Sequence, residues 1–121
     1  MSYWYMASVY TSYPEGKEQA FVEACKQVTR LQTNNPGEVF YSPIVHCHAM
    51  RKYGGFDNFD WEGFIRPIDF AFLKKAKAMI VIMMPEWQTS VGINDELKYA
   101  RKLGKPILYV EPGTKEIPRI V

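Results

Sequence analysis

Glu96 is the residue of this 121-residue chain that most needs explaining. It lies in SVGINDELKYARKLGKPI, residues 90 to 107. The spacing predicts a helix that starts near Ser90 and stops at Gly104, followed by a strand from Pro106. At about 100° per residue, Ile93, Leu97, Ala100 and Leu103 form one apolar stripe. Asn94, Asp95, Lys98, Arg101 and Lys102 fall opposite. Glu96 projects between Ala100 and Leu103, inside the stripe. The helix macrodipole accounts for an acid near a helix start. It does not account for one turned inward, where an unpaired carboxylate costs several kcal/mol or takes up a proton. Asp69 is a second candidate, third residue of a helix predicted to open at Pro67, with Ile68, Phe72 and Ala76 on one face. A carboxylate pair in one pocket suits nucleophilic or acid–base work.

Other reactive groupings are thinner. His46 and His48 would share a face if they alternated along a strand, but no further ligand is spaced to complete a metal site. Gly54-Gly55 is followed by no P-loop lysine, and the chain has no GxGxxG. Two histidines are too few for a Ser-His-acid arrangement to be read. Cys25 and Cys47 form no CxxC motif and read as reduced thiols in a cytoplasmic protein. Met79, Met83 and Met84 read as strand and core filling.

The elements that must position the carboxylates follow from patterning. Residues 2–8 read as a first strand. Lys17 to Leu31 has helical spacing, with Ala20, Phe21, Ala24, Cys25, Val28 and Leu31 apolar. NNPGE is a turn, and VFYSPIV (39 to 45) reads as a short strand broken by Pro43. Residues 46–61 read as a long loop of the kind that often serves as a functional lid. AMIVIMM is continuously apolar, as in a strand covered on both faces of a parallel sheet. KPILYV gives a fourth strand, and the proline-punctuated tail an edge strand or arm. This order predicts an α/β layer sandwich with a four- or five-stranded parallel sheet, strands near 2–8, 38–42, 78–84 and 106–110. Ligands of such folds sit beyond the carboxyl ends of the strands, where the helices carrying Asp69 and Glu96 begin.

Bulk properties agree. The length predicts one domain over residues 1–121, large enough for a real core. Apolar residues make up 47% and aromatics 15%, arguing against disorder. The net charge of +2 is dispersed, giving no footprint for nucleic acid or a membrane surface. MSYWYMASVY lacks a signal-peptide pattern, and no apolar run is long enough to span a bilayer.

Together YMAS (5 to 8), Asp69 ahead of an apolar strand, and SVGINDELKYA followed by GKPI resemble the nucleoside 2-deoxyribosyltransferase superfamily, from about Tyr3 to Val110. That superfamily includes the deoxynucleoside-monophosphate N-glycosidases. The resemblance implies a flavodoxin-like fold, a homodimer or larger homo-oligomer, a nucleoside or nucleotide as small-molecule ligand, and no metal or organic cofactor. It implies cleavage of an N-glycosidic bond or transfer of a deoxyribosyl group. Glu96 matches the nucleophile, Asp69 the aspartate that assists the nucleobase, and Tyr5 the tyrosine bordering sugar and nucleophile. Ser90, Gly92 and Ser8 are the candidates for contact with the substrate or its phosphate. Asn94 and Lys98 stand where the family commonly has glycines. The alternative of a different class is a non-catalytic nucleotide-binding or regulatory module on the same fold.

Overall fold

Apolar continuity makes the central strands. In a computed structural model describing residues 2–55 and 61–118, β1 (Trp4–Ala7) and β3 (Ala78–Ile82) are buried at every residue. Such strands need cover on both faces. β2 (Phe40–Tyr41) is two half-buried residues. β4 (Ile107–Val110) buries only Val110. The described strands form one parallel sheet in the order β2-β1-β3-β4. Tyr5 of β1 is in register with Tyr41 on one side and Met79 on the other. This is the flavodoxin-like order. The connection leaving β1 and the one leaving β3 run in opposite directions, opening a crevice at their carboxyl ends.

Right-handed crossovers put α1 (Lys17–Asn34) on one face and both α3 (Arg66–Lys75) and α4 (Val91–Lys102) on the other, a three-layer sandwich. α3 and α4 are joined by a flat stack of Phe70 on Tyr99, with centroids 4.4 Å apart. α4 stops as expected. Gly104 takes φ +70, and the amides of Gly104 and Lys105 bond the carbonyls of Arg101 and Ala100.

Three expectations are corrected. Residues 46–61 are not one long loop, because α2 spans Pro43–Tyr53 and a π-helical turn spans Trp61–Ile65 ahead of α3. Residues 56–60 of that stretch lie outside the described residues. Pro43 does not break a strand; it opens α2 behind Ser42, whose hydroxyl accepts from the amide of Val45 at 3.3 Å. The inward stripe of α3 is Ile65, Asp69, Leu73 and Ala76, while Phe72 is 37% exposed and Ile68 half-buried. In α1 the buried positions are Ala20, Ala24, Gln27 and Leu31, with Phe21, Cys25 and Val28 only half-buried. Gln27 is buried because its amide oxygen accepts from the backbone of Gly113 at 2.9 Å. The described part of the tail is thus an arm strapped along α1, with Asn35 donating to the Lys115 carbonyl at 2.8 Å; residues 119–121 lie outside the description. Among the described residues no helix is long and apolar enough to cross a membrane.

Candidate active site

α3 and α4 cover the same face of the sheet, and each turns one acid toward it. Glu96 sits in the second turn of α4 on the stripe Ile93, Glu96, Leu97 and Ala100, only 5% exposed. Asp69 sits in the first turn of α3 and is 3% exposed. Tyr5, wholly buried on β1, donates its hydroxyl hydrogen to Oε2 of Glu96. Asp69 accepts at Oδ1 from the Sγ of Cys47 on α2, 3.7 Å away. The structure joins Tyr5 to Glu96 by a hydrogen bond and sets Asp69 close enough for its charge to act on both. It adds Cys47, which the sequence reading treated only as a reduced thiol.

Burial governs the ionisation of this cluster. It pushes Glu96 from 4.5 up to about 8; the Tyr5 hydrogen bond opposes the shift and the charges of Asp69 and Asp95 add to it. Burial likewise pushes Asp69 up to about 7, opposed by the Cys47 hydrogen bond. The thiol of Cys47 is pushed up to about 12 by burial first, then by the charge of Asp69. It is held as an S–H donor and is no thiolate nucleophile. Between about 7 and 8 the two buried carboxyls hold about one proton between them, because the charge of Asp69 opposes the ionisation of Glu96. One acid and one base side by side is an arrangement fitted to displacement with a protonated leaving group.

The remaining sequence candidates are placed by their own elements. Ser8, the first residue beyond β1, is buried, and its hydroxyl has no partner among the described residues. Ser90 caps α4, its hydroxyl accepting from the amide of Ile93 at 3.2 Å. The side chain of Asn94 donates to the carbonyls of Gln88 and Ser90, at 3.0 and 2.9 Å, and pins the turn that leads into the cap. Gly92 is free of crowding: an added Cβ would meet only the Ser90 hydroxyl, at 3.9 Å. The fold itself does not require glycine there.

His46 and His48 do not act together. They lie two residues apart on a helix, not on a strand, so they point roughly 200° apart. His46 lies against Tyr41 and Phe72. His48 stacks on Phe21 at 4.3 Å and bridges the Tyr10 hydroxyl at 2.6 Å and Glu18 at 2.8 Å. It ties α2 to the loop after β1. Among the described residues no three of His, Cys, Asp and Glu gather in a group that could hold a metal.

The residue that sequence reasoning missed outright is Tyr41, at the end of β2. Its ring lies 5.8 Å from that of Tyr5, and its ionisation is opposed by burial first and then by Asp69, Cys47, Tyr3 and Glu96. Its place at the carboxyl end of a strand was the one available signal.

Comparison with known proteins bears on the family and the fold. The sequence matches a family described as a domain of unknown function, DUF1937, over residues 2–111. No curated protein matches it. Among solved structures, the 2-deoxyribosyltransferase of the psychrotolerant bacterium Bacillus psychrosaccharolyticus is similar, with a TM-score of 0.59 and 23% identity. The match covers 98% of this chain and 77% of that one. That enzyme is described as a biocatalyst for the synthesis of antiviral and antitumoral nucleosides. At this identity the likeness establishes the fold, and it is the fold that the sequence resemblance implied.

Proposed function

We propose that this chain, which belongs to the DUF1937 family, breaks the N-glycosidic bond of a deoxynucleoside or its 5′-monophosphate, by hydrolysis or by transfer of the deoxyribosyl group. The observation that carries the proposal is the buried Glu96, held by the hydroxyl of Tyr5 with Asp69 in the same pocket. A carboxylate oxygen of Glu96 attacks C1′. The bond from C1′ to the base nitrogen breaks, the base leaves with the electron pair, and Asp69 supplies its proton. Charge builds on the sugar before the new bond is complete, so a carboxylate at that point stabilises the cation and then traps it. Water, or a second base, attacks the resulting ester at C1′ and frees Glu96. The Tyr5 hydrogen bond favours the charged form of Glu96 and fixes which oxygen faces the sugar. Ser90, Gly92 and Ser8 are assigned to the substrate and its phosphate.

Residues 1–121 are read as one nucleoside 2-deoxyribosyltransferase-like domain, working in the cytoplasm as a homodimer or larger assembly. No nucleic acid, membrane, metal or organic cofactor takes part. A clean monomer by light scattering would remove the assembly from the proposal.

A non-catalytic nucleotide-binding or regulatory module is the second reading. It is favoured by the high proton affinity of Glu96, which keeps the nucleophile largely protonated at neutral pH in the unliganded chain. One experiment separates the two. The protein is incubated with deoxynucleosides and deoxynucleoside monophosphates, and free base is sought by chromatography. Base release that Glu96→Gln abolishes supports the enzyme; ligand binding without release supports the module.

A further inference from the structure

One group in the acid pocket is used neither by the fold nor by the chemistry above. The hydroxyl of Tyr41 is sealed from solvent and has no hydrogen-bond partner among the described residues. Two other tyrosines of the same cluster are satisfied: Tyr3 donates to the carbonyl of Phe72 and Tyr5 to Glu96. Polar atoms lose their hydration on burial and are almost always repaid with a partner. Such an orphan, like the hydroxyl of Ser8, marks a place for a partner from outside the chain.

The ring is held among aromatic neighbours. Phe72 stacks flat on it, centroids 4.1 Å apart and planes within 8°. The rings of Tyr5 at 5.8 Å and His46 at 5.9 Å crowd it on other sides. The ring it stacks on, Phe72, stands on α3 three residues after Asp69, so Tyr41 packs against the helix that carries that acid. Burial keeps its proton in place, so it is a standing donor.

We propose that the Tyr41 hydroxyl is a specificity-determining contact that donates a hydrogen bond to a ring nitrogen or carbonyl oxygen of the nucleobase, beside the group that Asp69 serves. This rests on the reading of the site as an N-glycosidic one. Glu96 and Tyr5 are occupied with C1′ and the sugar, which leaves the Asp69 side for the base. A donor fixed there by a ring stack selects heterocycles that offer an acceptor at one place, and a base lacking that acceptor leaves the hydroxyl unpaired on binding.

The test is Tyr41→Phe, which deletes one oxygen and keeps the stack on Phe72. Melting temperature and calorimetric binding of free adenine, hypoxanthine, guanine, cytosine and thymine are measured on the parent and the variant. The bound base is then compared with its deaza analogues, each lacking one ring acceptor. The expected result is a variant that melts no lower than the parent and binds the preferred base about ten- to a hundred-fold more weakly. One deaza analogue binds the parent as weakly as the natural base binds the variant. Equal base binding by parent and variant overturns the proposal. So does a clear fall in melting temperature with base binding intact, which would show an internal partner, and so does a parent that binds none of the bases. A parent that binds bases but releases none from deoxynucleosides or their monophosphates would end the proposed reaction and leave this contact standing.

Discussion

Tyr5 and Glu96, 91 residues apart in the chain, are joined by a buried hydrogen bond from the phenol to Oε2 of the carboxylate. The bond spans the middle of the sheet and the inward face of α4, and it explains why an acid is tolerated on an apolar stripe. A lone carboxylate there would be left unsatisfied, whereas the phenol satisfies one oxygen and leaves the other for chemistry.

Replacing Glu96 by glutamine keeps the shape and the Tyr5 bond but removes both charge and nucleophile. Base release should fall by roughly a thousand-fold or more, with ligand binding largely kept. Stability gives an independent readout. Glu96 has its proton affinity raised in the fold, from 4.5 to about 8. Its contribution to stability is therefore complete below the unfolded value and is lost as pH rises through the folded one. Melted at about pH 4, parent and Glu96→Gln should be similar; at about pH 9 the variant should melt higher. A variant that melts lower at alkaline pH would show that the charge is stabilising.

Activity should follow a bell in pH. Asp69 is raised to about 7 and Glu96 to about 8. Below about 7 both carry protons and no carboxylate is free to attack; above about 8 both are ionised and no acid remains for the base; between them the remaining proton rests mainly on Glu96, so the reacting form, with Glu96 ionised and Asp69 protonated, is the minor arrangement of that one proton. The optimum therefore lies between, and the two limbs belong to the pair. A rate that stays flat across this range would separate the reaction from the dyad.

How much of this was legible in the sequence varies element by element. The inward turn of Glu96 was legible because α4 keeps a regular 3.6-residue period and its polar residues all fall opposite. Asp69 was legible as an acid at a helix start, but its burial was not. Ile68 and Phe72 compete with Ile65 and Leu73 for the role of apolar face, and only packing against α4 decides between them. α2 was missed because Ser42-Pro43 was taken for a broken strand and not for a cap followed by a first-turn proline. With α2 unread, Cys47 had no element to carry it to Asp69. The orphan hydroxyl of Tyr41 has no sequence signature, since it arises only where Tyr3, Tyr5, Phe72 and His46 converge.

Cys47→Ala should act through Asp69. The thiol hydrogen bond holds the Asp69 proton affinity down, so its loss raises that affinity. The first proton of the pair becomes harder to remove, so the acidic limb of the bell should move to higher pH while the alkaline limb stays in place. A thiol that merely filled space would lower stability by leaving a small cavity and leave the pH profile where it was. The pH profile of kcat/KM is the deciding measurement.

Ser90 offers the choice between nucleoside and monophosphate. It caps α4 through the Ile93 amide, and the amides of Val91 and Gly92 follow it in the first turn. The start of a helix presents unsatisfied N–H donors and the positive end of the dipole, which favour an anion. Serine adds a hydroxyl there without charge. Aspartate caps a helix as well as serine does, so Ser90→Asp leaves the fold and the cap in place. Its carboxylate would, however, stand against a phosphate, and favour a neutral sugar hydroxyl instead. If Ser90 holds the phosphate, the variant should lose monophosphate binding by roughly ten-fold or more while nucleoside binding is spared or improved. If Ser90 is only a cap, both ligands should bind as before. Equal affinity of the parent for a nucleoside and its 5′-monophosphate would remove the phosphate role before any variant is made.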